Sequence, residues 1–439
     1  MIGITRRGLA LGAASSVAVA GSLRDVLAQT AAQAVATRNL PRTYSGKKLK
    51  ITWGNTPAYL QIADFSKQFT EATGIEVEFV ALLQADRYQK MMLDASSGTN
   101  TFDLYLTAYQ WKEQIAAYAA DLTHIDKEIN GVPDQDWADY PKAALDAYGR
   151  FGDKIIAAPF IGDASMLVWN KKALREAGLA AETAPQSWAE VIERGRKLVT
   201  GSQYGFNMPA GKSIQTACIW ITLFHGFGGE YFTADGKLGL GGEASVKALC
   251  FMAEELGKIT PAGRLTWDFP EMINSLATGQ AAQGYMWAGG FSTLFDPAKS
   301  SIAGDLGFAA TPQAVLLGGW GIAVNAKSAN ADAAKLFVGW LTSPEISKLA
   351  TLVAGQPCRV SSFRAPEAVA RFPSLPAVLE AMSGKTATYI PIKDSEQINI
   401  MIYDEANAAC AGVKTPEQAA GDLQEKALTF LKRRGYQRG

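Results

Sequence analysis

The chain of 439 residues carries 42 Lys+Arg against 42 Asp+Glu, a formal net charge of zero, and 48% of it is hydrophobic. That length provides two or three folding units with substantial cores, and the charge balance excludes a protein held on nucleic acid by its phosphate backbone. With 42 glycines and 19% charged residues it reads as loop-rich and globular, and two histidines, His124 and His225, with four cysteines are too few for a His-built metal centre.

Thr5-Arg6-Arg7-Gly8-Leu9 places adjacent arginines ahead of a run, 9–21, rich in Ala, Gly, Ser and Val. About thirteen residues are too few to cross a bilayer but suit the apolar centre of a signal peptide. The order and weak hydrophobicity resemble a twin-arginine export signal, and Arg24 beyond the run agrees. Ala32-Gln33-Ala34 offers a cleavage site, with Val26-Leu27-Ala28 and Ala18-Val19-Ala20 competing, so residues 1–34 are expected to be an address and the mature protein periplasmic. Removing them takes away three arginines and one aspartate, which leaves the remainder slightly acidic. No later stretch reaches 18 uninterrupted apolar residues. Cys218 and Cys250 fall in apolar helical runs, while Cys358 and Cys410 stand far apart; buried free thiols are the simpler expectation, with pairing left open.

After a polar linker, 38–48, the alternation at 49–53 predicts a strand that stops at Gly54-Asn55-Thr56-Pro57. Ile62, Phe65 and Phe69 then follow at helical spacing, 75–80 alternates again, 88–93 is helical, and 102–106 is a third strand. Strand and helix alternating at this cadence predict a parallel, doubly wound α/β sheet, whose ligands sit at the carboxyl ends of the strands. The loops after Trp53 and Leu106 are therefore the first places to look. A second strand pair, 154–158 and 166–170, flanks Pro159-Phe160-Ile161-Gly162-Asp163, a plausible crossover between domains. Ser187 caps a helix running to Leu198, with Glu190 at capping-box spacing. Helices are expected over 214–224 and 244–256, strands over 281–287 and 318–324, and helices over 331–341, 397–411 and 416–434, the last behind Thr415.

Several stretches together resemble the extracellular solute-binding proteins of carbohydrate ABC importers, the branch that includes maltose-binding protein. They are Leu49 to Asn55 with Phe65, Phe69 and Thr73-Gly74-Ile75; Phe102-Asp103-Leu104-Tyr105; Ala158-Pro159 with Asn170-Lys171; and Pro185-Gln186-Ser187-Trp188. Gly228-Gly229, Gly279-Gln280-Ala281, Gly321-Ile322-Ala323-Val324-Asn325, Leu341-Thr342-Ser343-Pro344-Glu345 and Thr415-Pro416-Glu417 continue the series in the family's order. The resemblance implies a two-lobed periplasmic-binding-protein fold whose lobes hinge and close on a ligand in the cleft between them. By that analogy, 46–160 plus 305–362 form the N-terminal lobe and 161–304 plus 363–439 the C-terminal lobe.

A sugar ring needs aromatic plates for its C–H face and planar polar groups for its hydroxyl rim. Asn55 and Thr56 follow the first strand, where relatives often place a charged pair. Tyr109 and Gln110 follow the third, with neutral groups where the family has charged ones. Asp163 falls at the first crossover, where relatives place a sugar-binding acid. Trp220 lies on a helix that borders the family's cleft, although its apolar run also suits a core. Trp287 with Gly289-Gly290 sits where the family often stacks a tryptophan on sugar, and Trp320 stands among three glycines. Arg359 follows Gln356-Pro357-Cys358, where the family often has proline and a basic residue. Asn399 replaces an aromatic contact of the maltose-binding branch, which favours a small polar ligand.

The expected function is a receptor, monomeric and without cofactor or metal, that captures a mono- or small oligosaccharide or a polyol and delivers it to the permease subunits of an ABC importer. An importer receptor for a glycerophosphodiester, amino acid or polyamine is the alternative, and a secreted hydrolase a more distant one. No carboxylate spacing identifies a glycosidase pair, and neither a Gly-x-Ser-x-Gly elbow nor His-Glu-x-x-His occurs.

Overall fold

The computed structural model describes residues 36–436, and the export address expected over 1–34 lies outside them. β1 (Lys48–Gly54) buries Leu49, Ile51 and Trp53, and pairs in parallel with β2 (Glu76–Leu82) and β3 (Leu104–Ala108). β2 is the sheet edge. Its exposed Glu76 and Glu78 meet Lys48 and Lys50 at 2.8 and 2.9 Å, the charged rim that blunts an open edge. The helical stretch after β1 folds as two helices, α1 (Pro57–Ala63) and α2 (Ser66–Thr73), and α3 (Gln84–Ser97) leads from β2 to β3.

A short hairpin, β4 (Arg150–Phe151) and β5 (Lys154–Ile155), precedes β6 (Ala158–Asn170). Two strands with a loop between them were expected here; instead β6 is one strand of 13 residues. The register shifts between Pro159 and Ile161, a bulge and not a break, and Gly162 pairs regularly with Gly319. Further along come α4 (Trp188–Leu198), α5 (Ile214–Gly226), α6 (Glu243–Cys250) and α7 (Phe269–Ala277). α6 runs on into a π-helical stretch, Phe251–Leu256. Then follow β7 (Gln283–Trp287), β8 (Leu306–Ala310), β9 (Val315–Val324), α8 (Ala331–Leu341), β10 (Thr386–Ala387), α9 (Ser395–Cys410) and α10 (Pro416–Arg433).

β6 and β9 make the molecule two-lobed, because each runs through both halves. Residues 158–164 of β6 lie antiparallel to 317–322 of β9, which pairs in turn with β3, so the first half is ordered β2-β1-β3-β9-β6. From Ser165 onward β6 leaves β9 and is flanked by β7 and β8 instead. Of the expected parallel sheet, β2, β1 and β3 form a continuous run, with shorter parallel pairings of β10 on β9 and of 204–207 beside β7. A chain that leaves one half and returns along the same path must run both ways, so the crossing strands are antiparallel. β8 pairs with residues 166–170 of β6, and β9 pairs with residues 158–164 of the same strand.

In the second half α5 is buried from Thr216 to Phe224, packed against α9, which α10 covers. Thr415, the expected cap of α10, forms a reciprocal capping box with Gln418. All four cysteines are unpaired, with Cys218, Cys358 and Cys410 buried. Among the described residues no helix is long and apolar enough to cross a membrane, and no group of three acidic, His or Cys side chains is placed to hold a metal.

Candidate functional site

The crossings of β6 and β9 form the floor of a cleft of about 720 Å³ between the two halves. Strand ends of the first half deliver Asn55, Thr56, Gln84 and Gln110 to one wall; Gln215 at the start of α5, Phe269, Trp287 and Phe295 line the other. That is the size of a small-molecule site.

Asp163 lies on β6 where it crosses between the halves. Its Oδ1 accepts from the N–H of Ala164 at 2.9 Å and of Gly289 at 3.2 Å, and Oδ2 from Gln356 Nε2 at 2.8 Å. A Cβ on Gly289 would stand 2.7 Å from Gln356 Nε2 and 3.2 Å from Asp163 Oδ2, so only glycine lets the three groups meet. Burial pushes the carboxyl up to about 7, and the donors of Gly289, Ala164, Ala288 and Gln356 offset this only in part. Asp163 is half-buried and lines the cleft. It can therefore accept from a ligand hydroxyl when ionised and donate when protonated.

Trp287 ends β7, and its indole N–H donates to Gln215 Oε1 at 2.7 Å, which fixes the ring plane. Gly318 of β9 lies beneath the ring, where a Cβ would come within 2.6 Å of it. Trp320 projects from the other end of the same crossing, half-buried, its ring edge-on to Trp111 at 5.6 Å. The guanidinium of Arg87, from α3, lies 4.1 Å from the centre of the Trp320 ring. Arg87 is 3% exposed, and burial pushes its pKa down to about 10. Tyr59 stands near it, its hydroxyl raised by burial. Three other charged groups face the cleft: Asp296 and Lys299, paired at 3.1 Å, and the exposed Arg371.

Asn55, Thr56, Gln110, Asp163, Trp287, Gly289 and Trp320 are therefore brought together on one cleft. The remaining five expected residues are not. Tyr109 is buried between Tyr148 and Tyr389, at 5.7 and 5.0 Å, and borders a separate cavity of about 370 Å³ that shares Gln110 and Tyr389 with the cleft. Trp220 is core, stacked on Phe224 at 4.7 Å, because it points away from the cleft on a helix buried all round. Gly290 is packed under Met286, whose sulfur a Cβ would meet at 2.5 Å. Asn399 is wholly buried on α9. Arg359 is wholly buried within the first half: Nε donates to Thr342 O and Nη2 to Gln135 O, both at 2.9 Å, with Asp139 at 3.4 Å and the Tyr140 ring beneath. Its neighbour Gln356 reaches the cleft in its place.

Sequence reasoning missed Arg87, Tyr59, Gln215 and Gln356. The strand-end rule would have found the first of these, since the loop after β2 leads directly into α3; it was applied only after β1 and β3.

The fold and the cleft define a ligand receptor of the two-lobed kind. A family model described as bacterial extracellular solute-binding protein matches residues 54–348, and the chain belongs to that family. A probable amino-acid ABC transporter periplasmic-binding protein of Sinorhizobium fredii is 48% identical over 98% of this chain and 99% of its own. The mannitol-binding protein of Pseudomonas aeruginosa is 27% identical over 92% of this chain and 98% of its own. Among solved structures, an ABC transporter solute-binding protein of Agrobacterium radiobacter in complex with ribitol superimposes with a TM-score of 0.79 at 25% identity, covering 89% of this chain and all of that one. The relatives are binding proteins, and the family works outside the cytoplasmic membrane.

Proposed function

We propose that the protein is a periplasmic receptor that closes its two lobes on a small hydroxyl-rich solute, a polyol, monosaccharide or small oligosaccharide, and hands it to the permeases of an ABC importer. One observation carries this reading. Asp163 sits where the two halves meet, held by Gly289 from one side and Gln356 from the other, beside the fixed indole of Trp287. A carboxylate accepting hydroxyls next to an aromatic plate is the pairing a polyol or sugar needs. The mannitol and ribitol of two relatives support the same class. Ligand binding to Asn55, Thr56, Gln110, Asp163, Trp287, Gly289 and Trp320 is part of the proposal, as are a monomeric receptor and export by the twin-arginine route. The lobes divide within β6 near Asp163 and within β9 near Gly318.

A thermal-shift screen over polyols, sugars and amino acids tests it, because a ligand of the folded state raises the melting temperature by mass action. A shift with polyols or sugars supports the reading; shifts confined to amino acids replace it. The name of the Sinorhizobium relative favours that second outcome.

A further inference from the structure

Arg87 is a buried cation with nothing to neutralise it. Its Nε has no hydrogen-bond partner, and among the described residues no carboxylate lies within ion-pair distance of its guanidinium. It has one close companion for its charge, the Trp320 ring at 4.1 Å. A cation–π contact stabilises far less than taking an ion out of water costs. The deficit is removed when an anion enters. Arg371, exposed on the same cleft, has no acidic partner either, with only the Phe372 ring at 5.7 Å. Lys299 is already answered by Asp296. The cleft wall around Arg87 therefore presents unanswered positive charge, while Asp163 across the floor is occupied by three donors and needs no cation.

We propose that the solute carried in this cleft bears a carboxylate gripped by Arg87, which makes it a polyhydroxy acid and not a neutral polyol. The planar guanidinium fork matches a planar carboxylate in geometry as well as charge. Arg371 at the rim adds attraction at longer range. This inference rests on the hydroxyl-rich reading above and narrows it.

Matched pairs test it: D-gluconate with D-glucitol, and D-ribonate with ribitol, titrated calorimetrically into wild type and Arg87→Gln at neutral pH. In wild type the acid of at least one pair should bind about tenfold or more tighter than its alditol, and Arg87→Gln should weaken the acid about tenfold or more. Its melting temperature at or above that of wild type shows that the variant is folded, and alditol affinity should fall less than acid affinity. Alditols that bind without any preference for the acid would overturn this inference and leave the hydroxyl-rich reading standing. An acid and its alditol weakened equally by Arg87→Gln would also overturn it, making Arg87 a packing residue. No binding by any of the four would overturn both. L-serine, as a fifth probe, would support the carboxylate grip but displace the hydroxyl-rich reading if it alone bound and its binding fell in Arg87→Gln.

Discussion

Two buried arginines in the first half of the molecule have opposite surroundings. Arg359 is tied by two carbonyls, a carboxylate and an aromatic face, all from its own half. Arg87 has an indole and an open cleft. A buried charge whose hydrogen bonds are all made holds structure together; one left unanswered at a cavity wall is kept at a cost to stability and suits a ligand. Exposure alone does not separate them, since both are almost wholly buried. Their partners do.

The comparison can be broken by substitution. Arg359→Met should be the most damaging change, costing about 3–5 kcal/mol in denaturant unfolding, because two buried carbonyls lose their donor and Asp139, which keeps its bonds from Ser361, loses its cation. Arg87→Gln should cost nothing measurable or stabilise the free protein. Equal losses in the two variants would erase the distinction. Asp163→Ala comes next: solute affinity should fall about ten- to hundredfold with the fold intact, as expected when a hydrogen bond to a charged group is removed. Trp287→Ala should weaken binding about tenfold through loss of the stacking face. Calorimetric titration reads both, and unchanged affinity in the pair would dismiss the site.

A further effect, on stability, is in pH. A carboxyl with an ordinary value of 3.8, raised to about 7 in the folded state, keeps a proton between these values that the unfolded chain has released. Stability must then fall as pH rises through that window, with the full cost present above 7. Asp163→Asn should melt above wild type at pH 8, and the gap should close as pH falls toward 4. A gap that stays constant would mean that Asp163 is not the titrating group.

The sequence made the regular parts of this molecule legible where side-chain period and punctuation agree. The strand at 49–53 and the helix behind Thr415 are examples. It misread β6 because Pro159 and Gly162 punctuate a loop and a bulge alike; only the partner strand decides between them. The site was half legible for a related reason. Asp163 and Trp287 stand at strand positions where register fixes direction. Arg359 and Gln356 lie three residues apart in a loop, and spacing cannot say which one turns to the cleft. Trp220 shows the same limit on a helix: an apolar run hides which face is inward when every face is buried.

Closure on a solute is tested most directly by small-angle scattering of wild type and Asp163→Ala, each with and without the solute that gives wild type its largest thermal shift. The radius of gyration of wild type should shrink on saturation, and that of Asp163→Ala should not change at the same concentration. A wild-type radius that stays constant while solute is demonstrably bound would contradict two lobes closing around Asp163.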